Sequence, residues 1–191
     1  MLILGSRLIN IPVMGLQTGS KLAVTKRPII DPSNLTVIAY EVDGPLLSER
    51  PSFIRIADVR ELSDIGLIID SSDEFVGIKD VISIQKIYEL NFNLIGIGVV
   101  DEMKHKLGKV ADYSIDTDSF VIQQINANRG IIRSLTETTL LIHRSQIIEI
   151  NDYKIIVKTT AKKLSPIEKP TKLTYMNPFR SQSPQTDSTE L

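Results

Sequence analysis

Leu107-Gly-Lys-Val-Ala-Asp112 leads through Ser114-Ile-Asp116 and the polar stretch Asp116-Thr117-Asp118-Ser119 into Phe120-Val-Ile-Gln-Gln-Ile125, and this stretch decides the fold. Two runs rich in β-branched residues flank a turn, and neither sustains a 3.6-residue period. The same grammar continues outward. Leu140-Leu-Ile142 and Tyr153-Lys-Ile-Ile-Val-Lys158 follow, and Leu35-Thr-Val-Ile-Ala-Tyr-Glu-Val42 precedes. Asp31-Pro32-Ser33-Asn34, Asp43-Gly44-Pro45 and Asn151-Asp152 separate such runs with good turn chemistry. Many short strands with a turn every ten residues or so predict an all-β barrel or sandwich.

The chain also matches itself. Shifted by 85 positions, Lys21-Leu22 falls on Lys106-Leu107, Ile30-Asp31 on Ile115-Asp116, Leu35 on Phe120 and Val37 on Ile122. With one residue of slippage, Ile54-Arg-Ile56 falls on Leu140-Leu-Ile142. One supersecondary unit used twice is the simplest source of such a pattern. Between the copies, Val81, Ile84 and Tyr88 stand at helical spacing behind Asp80, which predicts a short helix with Asp80 as its N-cap. From Ser165 onward, 12 of 27 residues are Ser, Thr or Pro. Such a composition buries too little to offset the entropy of ordering, so disorder is expected there.

The second copy, read as Ile97-Gly-Val-Val-Asp101, Leu107-Gly-Lys-Val-Ala-Asp112, Phe120-Val-Ile122, Leu140–Ile150 and Tyr153–Val157, resembles the PRC-barrel family. Gly108 is expected to permit a tight bend and Asp112 to cap the turn that follows. The first copy is a looser match: it keeps Gly19 where the second has Lys104, and has Ala23 where the second has Gly108. The resemblance implies a first PRC-like β-barrel at 1–75 and a second barrel at 94–160, which with the helix and tail read above makes a mainly β chain with a linking helix at 76–93 and a disordered tail at 161–191. The family includes the C-terminal domain of a ribosome maturation factor and the cytoplasmic part of a photosynthetic reaction-centre subunit. Their common thread is non-catalytic protein contact, and the family has no general active site to carry over.

Composition narrows the function classes. The chain has 191 residues, is 42% hydrophobic and 24% charged, and carries a formal charge of −1. That balance argues against a globally basic nucleic-acid binder. It contains no cysteine, which excludes disulfides, thiolate metal sites and thiol nucleophiles. No run approaches the roughly 20 apolar residues of a membrane span, so a cytoplasmic protein without membrane insertion is expected.

The chemistry-bearing residues are few. His105 lies in a Lys-His-Lys hairpin and reads as solvated. His143 and Ser145 are close in sequence, but Ser145 has no nucleophile elbow, so His143 and Arg144 read as hydrogen-bonding or partner-contact residues. Asp101, Glu102, Asp112, Asp116 and Asp118 lack the glycine and distal glutamate of a calcium loop and read as turn formers. Residues 1–30 hold Arg7, Lys21, Lys26 and Arg27 and no acidic residue, a potential contact for phosphate or an acidic partner. The sequence thus points to a binding or scaffold module without catalytic, cofactor or metal site, acting on protein. The alternative is an RNA- or ribosome-associated factor.

Overall fold

The computed structural model describes residues 1–45, 47–128, 139–151 and 153–158, so the expected disordered tail at 161–191 lies outside the described residues. In chain order its elements are β1 (Leu2–Leu4), β2 (Pro12–Gly15), β3 (Ser20–Asp31), β4 (Thr36–Asp43), β5 (Ser52–Arg55), β6 (Glu61–Ser63), β7 (Gly66–Ile69) and β8 (Phe75–Gly77). Then come α1 (Ile82–Glu89), β9 (Gly98–Asp101), β10 (Lys106–Asp116), β11 (Ile122–Asn128), β12 (Thr139–His143), β13 (Ile147–Ile150) and β14 (Lys154–Val157). The chain is mainly β, as the alternating runs predicted.

The strands form two sheets. The first runs β6-β7-β2-β3-β4-β5-β8. The second, read in the same sense, runs β13-β14-β9-β10-β11-β12, with β1 added on β10. Each contains one parallel pair at the equivalent place, β2 with β7 (Val13 opposite Leu67) and β9 with β14 (Val99 opposite Ile155). Among the described residues neither order returns on itself, so the pairing draws two open sheets where closed barrels were expected. The register also adjusts one alignment. Tyr40 faces Ile54 on β5, and Ile125 faces Ile142 on β12, so Ile142 corresponds to Ile54 and not to Ile56.

One contiguous apolar core joins the sheets. It includes Val13, Val37, Tyr40, Ile54 and Leu67 from the first and Val99, Ile115, Ile122, Ile125 and Ile155 from the second. The direct main-chain link lies where the β3–β4 and β10–β11 turns meet. Val37 donates its N–H to the Phe120 carbonyl (3.0 Å), and Ile122 donates to the Leu35 carbonyl (2.8 Å). Leu35 and Phe120 both hold left-handed backbone, φ 55° and 53°, and both are buried. Apolar side chains rarely adopt that region, so burial in the shared core must offset the strain.

The lead-in segments cross over. β1, inside the span expected for the first barrel, pairs with β10 of the second sheet, Ile3 opposite Ile115. The 3-10 turn at Gly5–Leu8 then lies against β10. Reciprocally, α1 packs on the outer face of the first sheet, where Ile84 is buried with Ile29, Ala39 and Phe53. The Phe53 and Tyr88 rings meet edge to face at 5.4 Å. The corresponding outer positions of the second sheet are Ser114, Gln124 and the exposed Leu141. Among the described residues, a buried apolar cluster on an outer face is found on the first sheet, and the helix covers it.

Two local expectations are corrected. α1 begins one residue past Val81, whose side chain cannot cap, while Asp80 turns back and accepts the Gly77 N–H (2.7 Å). Asp112 caps no following turn; its carboxylate holds Ser6 of the N-terminal segment, accepting from Ser6 Oγ (2.5 Å) and Ser6 N (3.2 Å). Gly19 and Lys104, which the sequence alignment pairs, are left-handed in their respective hairpins, φ 62° and 66°. Glycine meets that need freely and lysine at a modest strain. Gly108, φ 151°, sits at the register break between β9 and β10, as a bend there requires.

Gly5 is where the crossover is most exacting: a Cβ there would lie 2.3 Å from the Tyr113 ring. Gly5→Ala is expected to lower stability by about 1–3 kcal/mol through overpacking. Gly98→Ala, whose added carbon would meet nothing closer than 3.7 Å, is expected to stay within about 0.5 kcal/mol of the parent. Urea unfolding of the two variants checks both.

Candidate functional site

The crossover leaves a cleft at the junction of the two sheets. Its volume is about 470 Å³, within the size range of ligand-binding clefts. Ser6 and Ile9 of the first lead-in, Phe92 and Ile95 of the second, Pro28 and Ile30 of β3, and Asp112 and Tyr113 of β10 line it. The walls come in matched pairs, because Arg27-Pro28 of β3 and Asp112-Tyr113 of β10 hold equivalent register positions in their own sheets, opposite Glu41-Tyr40 and Asn126-Ile125. Each lead-in is tied to a strand of the other sheet by polar contacts, Ser6 by its Oγ and N–H to Asp112, and Asn91 Oδ1 to Arg27 (3.5 Å).

The cleft mixes apolar walls with charges that already have partners. Arg27 Nε donates to Glu41 Oε2 at 2.9 Å, and its guanidinium lies 4.6 Å from the centre of the Tyr88 ring. Burial pushes the Tyr113 hydroxyl well above its ordinary pKa, and the neighbouring Asp112 charge adds to this, so the group stays protonated. Tyr40, on β4, is also held protonated, by burial first and then by Tyr113. Its hydroxyl is buried and has no hydrogen-bond partner among the described residues.

The basic residues singled out in the first 30 positions do not converge. Lys21 stands at the β2–β3 hairpin, opposite Met14, and is exposed. Lys26 is exposed at the register break between Thr25 and Arg27, five residues along the strand and hence roughly 16 Å away. Arg7 is exposed on the Gly5–Leu8 turn, which Thr25 anchors by donating from Oγ1 to the Leu8 carbonyl (2.7 Å). Arg27 is committed to Glu41 and Tyr88.

His143 and Ser145 do come together, Nδ1 to Oγ at 2.8 Å. The contact belongs to a turn. His143 Nδ1 accepts the Ser145 N–H (3.3 Å), and Gln146 Oε1 accepts the His143 N–H (2.9 Å), a reciprocal cap on the 3-10 turn Arg144–Gln146. Arg144 reaches across to the first sheet's turn and donates to the Asn34 carbonyl (3.1 Å). Sequence reasoning missed both this bridge and the cleft, since each depends on where the second sheet docks.

His105 is less free than a solvated hairpin suggests. Asp101, nearly buried, accepts the His105 N–H (2.8 Å) and meets its Nδ1 at 2.9 Å. Burial works against the Asp101 charge, but the His105 hydrogen bonds outweigh it, and the carboxyl is held below its ordinary value of 3.8. Asp70 is lowered by the Arg60 fork, with contacts of 2.8 and 2.6 Å. Asp116 is lowered by the Ser119 hydroxyl, then by the terminal amine. Each group binds protons less readily folded than unfolded. Its stabilisation is full above the ordinary value of 3.8 and is lost as pH falls through the lowered one.

Denaturant midpoints are therefore expected to hold steady above about pH 5 and to fall below it, with Asp101→Asn flattening part of the decline. Tyr40→Phe, which removes a buried hydroxyl that bonds to nothing described, is expected to leave the unfolding free energy unchanged or raise it by up to about 1 kcal/mol. A loss above 1 kcal/mol would show a partner for that hydroxyl.

A scan of the chain against protein-family models and a search of curated proteins both returned no match, so the fold and the cleft's chemistry carry the functional reading.

Proposed function

We propose that this chain is a non-enzymatic binding module made of two duplicated PRC-like units, working in the cytoplasm through contacts with other proteins. The observation that carries the reading is that six strands of each sheet follow the same order, parallel pair included, around a shared cleft, with β8 and β1 as additions peculiar to one sheet each. An internal duplication accounts for that order at the spacing seen in the sequence. Each unit would be an open relative of the family's small barrel.

The polar chemistry supports binding over turnover. The His143–Ser145 contact caps a turn, and His105 braces Asp101 at a hairpin. Neither pair lines the cleft. The cleft walls are aromatic and aliphatic side chains with a few fixed polar groups, a composition suited to recognition. The RNA-associated reading would rest on Arg7, Lys21 and Lys26 alone, spread along an edge and without aromatic residues interleaved for stacking.

Pull-downs on the immobilised full chain separate these readings. A discrete protein is expected to be retained from native lysate after nuclease treatment and at 200 mM salt, and to be lost with Ala111→Trp, which fills the cleft. Retention of RNA that weakens steeply between 50 and 200 mM salt would replace this reading with the RNA-associated one. Ester hydrolysis lost on Ser145→Ala would replace it with an enzyme.

A further inference from the structure

The two sheets differ at one edge, and that difference defines a binding slot. On β10, the edge not used by β11 is paired by β9 from Lys106 to Lys109 and again by β1 from Ser114 to Asp116. On β3, the same edge is paired by β2 only as far as Val24, with Thr25 bonded to Ile11 and Asn10. Beyond Thr25, no described strand pairs with it on that side. α1 does not fill the role of β1, because its buried residue Ile84 packs on the outer face with Ile29, Ala39 and Phe53.

Hydrogen-bond alternation identifies the groups at the slot. Asp116 gives its N–H to Val121 on the β11 side, and Thr117 gives its N–H to the Met1 carbonyl on the β1 side. Ile115, opposite Ile3, therefore turns its main chain toward β1. Ile30 is the counterpart of Ile115, since both face the first paired residue beyond a register break, Val37 and Ile122. Its N–H and C=O turn toward the cleft, whose wall includes Ile30 and Pro28. Pro28 has no N–H to offer, which limits the slot to a short segment.

We infer that the cleft beside Ile30 receives an extended, uncharged apolar segment of a partner protein, which adds to β3 as a short antiparallel strand. The occupant's chemistry is read from the equivalent place in the other sheet, where Leu2-Ile3-Leu4 pairs with β10 and Ile3 packs on the common core. Main-chain bonds to Ile30 give affinity, and the alternate side chain directed at the core gives selectivity. The inference rests on the protein-contact reading and adds the conformation and polarity of what is bound.

The test uses the full chain, isotope-labelled, and an N-acetylated, C-amidated peptide with the sequence of residues 1–6 as probe. Amide shifts are expected to centre on Ile30 and its cleft neighbours. A second peptide, N-methylated at the isoleucine, keeps every side chain but loses the central N–H, and is expected to bind at least tenfold more weakly. Equal binding of the two peptides would overturn strand addition in favour of simple burial. Shifts centred on Ile115 would mean displacement of β1 and would overturn the slot. In the free chain, contacts from residues 160–191 to Ile30, or a concentration-dependent dimer that protects it, would replace the foreign partner with the chain itself. Failure of both peptides, with a retained protein still sensitive to Ala111→Trp, would remove this inference and leave the binding module standing.

Discussion

The pair of main-chain bonds between Val37 and Phe120 and between Ile122 and Leu35 sets everything else in the molecule. Each bond is the other's image, because Leu35 corresponds to Phe120 and Val37 to Ile122. Such a contact is self-complementary, like the patch shared by two subunits of a symmetric dimer. It fixes the two long hairpins tip against tip. It also demands left-handed backbone from a leucine and a phenylalanine, which the merged core can hold only while both side chains stay buried. Arg144 reinforces the same junction by bonding to Asn34 beside it.

Once the hairpins are so placed, each lead-in finds the other sheet nearer than its own. Ser6 ties the first to Asp112, and Asn91 ties the second to Arg27. The segments act as straps, and the space between them is the cleft. Energetically the straps are modest: exposed hydrogen bonds and a partly exposed Arg27–Glu41 pair contribute on the order of 1 kcal/mol or less each. Close packing makes them specific. Gly5 lies close against the Tyr113 ring, and Leu8 and Leu94, at the ends of the two straps, are both buried.

Strand content and turn positions were legible because they are local or periodic. Alternation along Leu35–Val42 shows in the residues themselves, and so do the turns at Asp31–Asn34 and Asp116–Ser119. Side-chain roles set by distant partners were not legible. Arg27 looked like one of four free cations, yet Glu41 across the hairpin and Tyr88 on the helix claim it. Asp112 looked like a turn former, yet it anchors a residue 106 positions away. Asp80 fits an N-cap by spacing alone, but the carboxylate found a closer donor in Gly77. Short-range rules rank local options, and tertiary contacts choose among them.

The departure from symmetry is the part of the design with the most consequence. Leu2-Ile3-Leu4 is extended and seals the β10 edge, whereas the equivalent stretch before the second unit ends a helix, Ile82–Glu89. The helix is there because Ile29, Ala39 and Phe53 make the first sheet's outer face apolar, while Ser114 and Gln124 keep the second's polar. A segment cannot both lie on a sheet's face as a helix and extend its edge as a strand. Covering the face therefore left the edge beside Ile30 to something else. An open edge next to an apolar core is a liability unless it is short, blunted or occupied. Pro28 blunts one end of this one, and the charged Asp31 terminates the other. What remains between them is long enough to accept one short strand and too short to template a sheet.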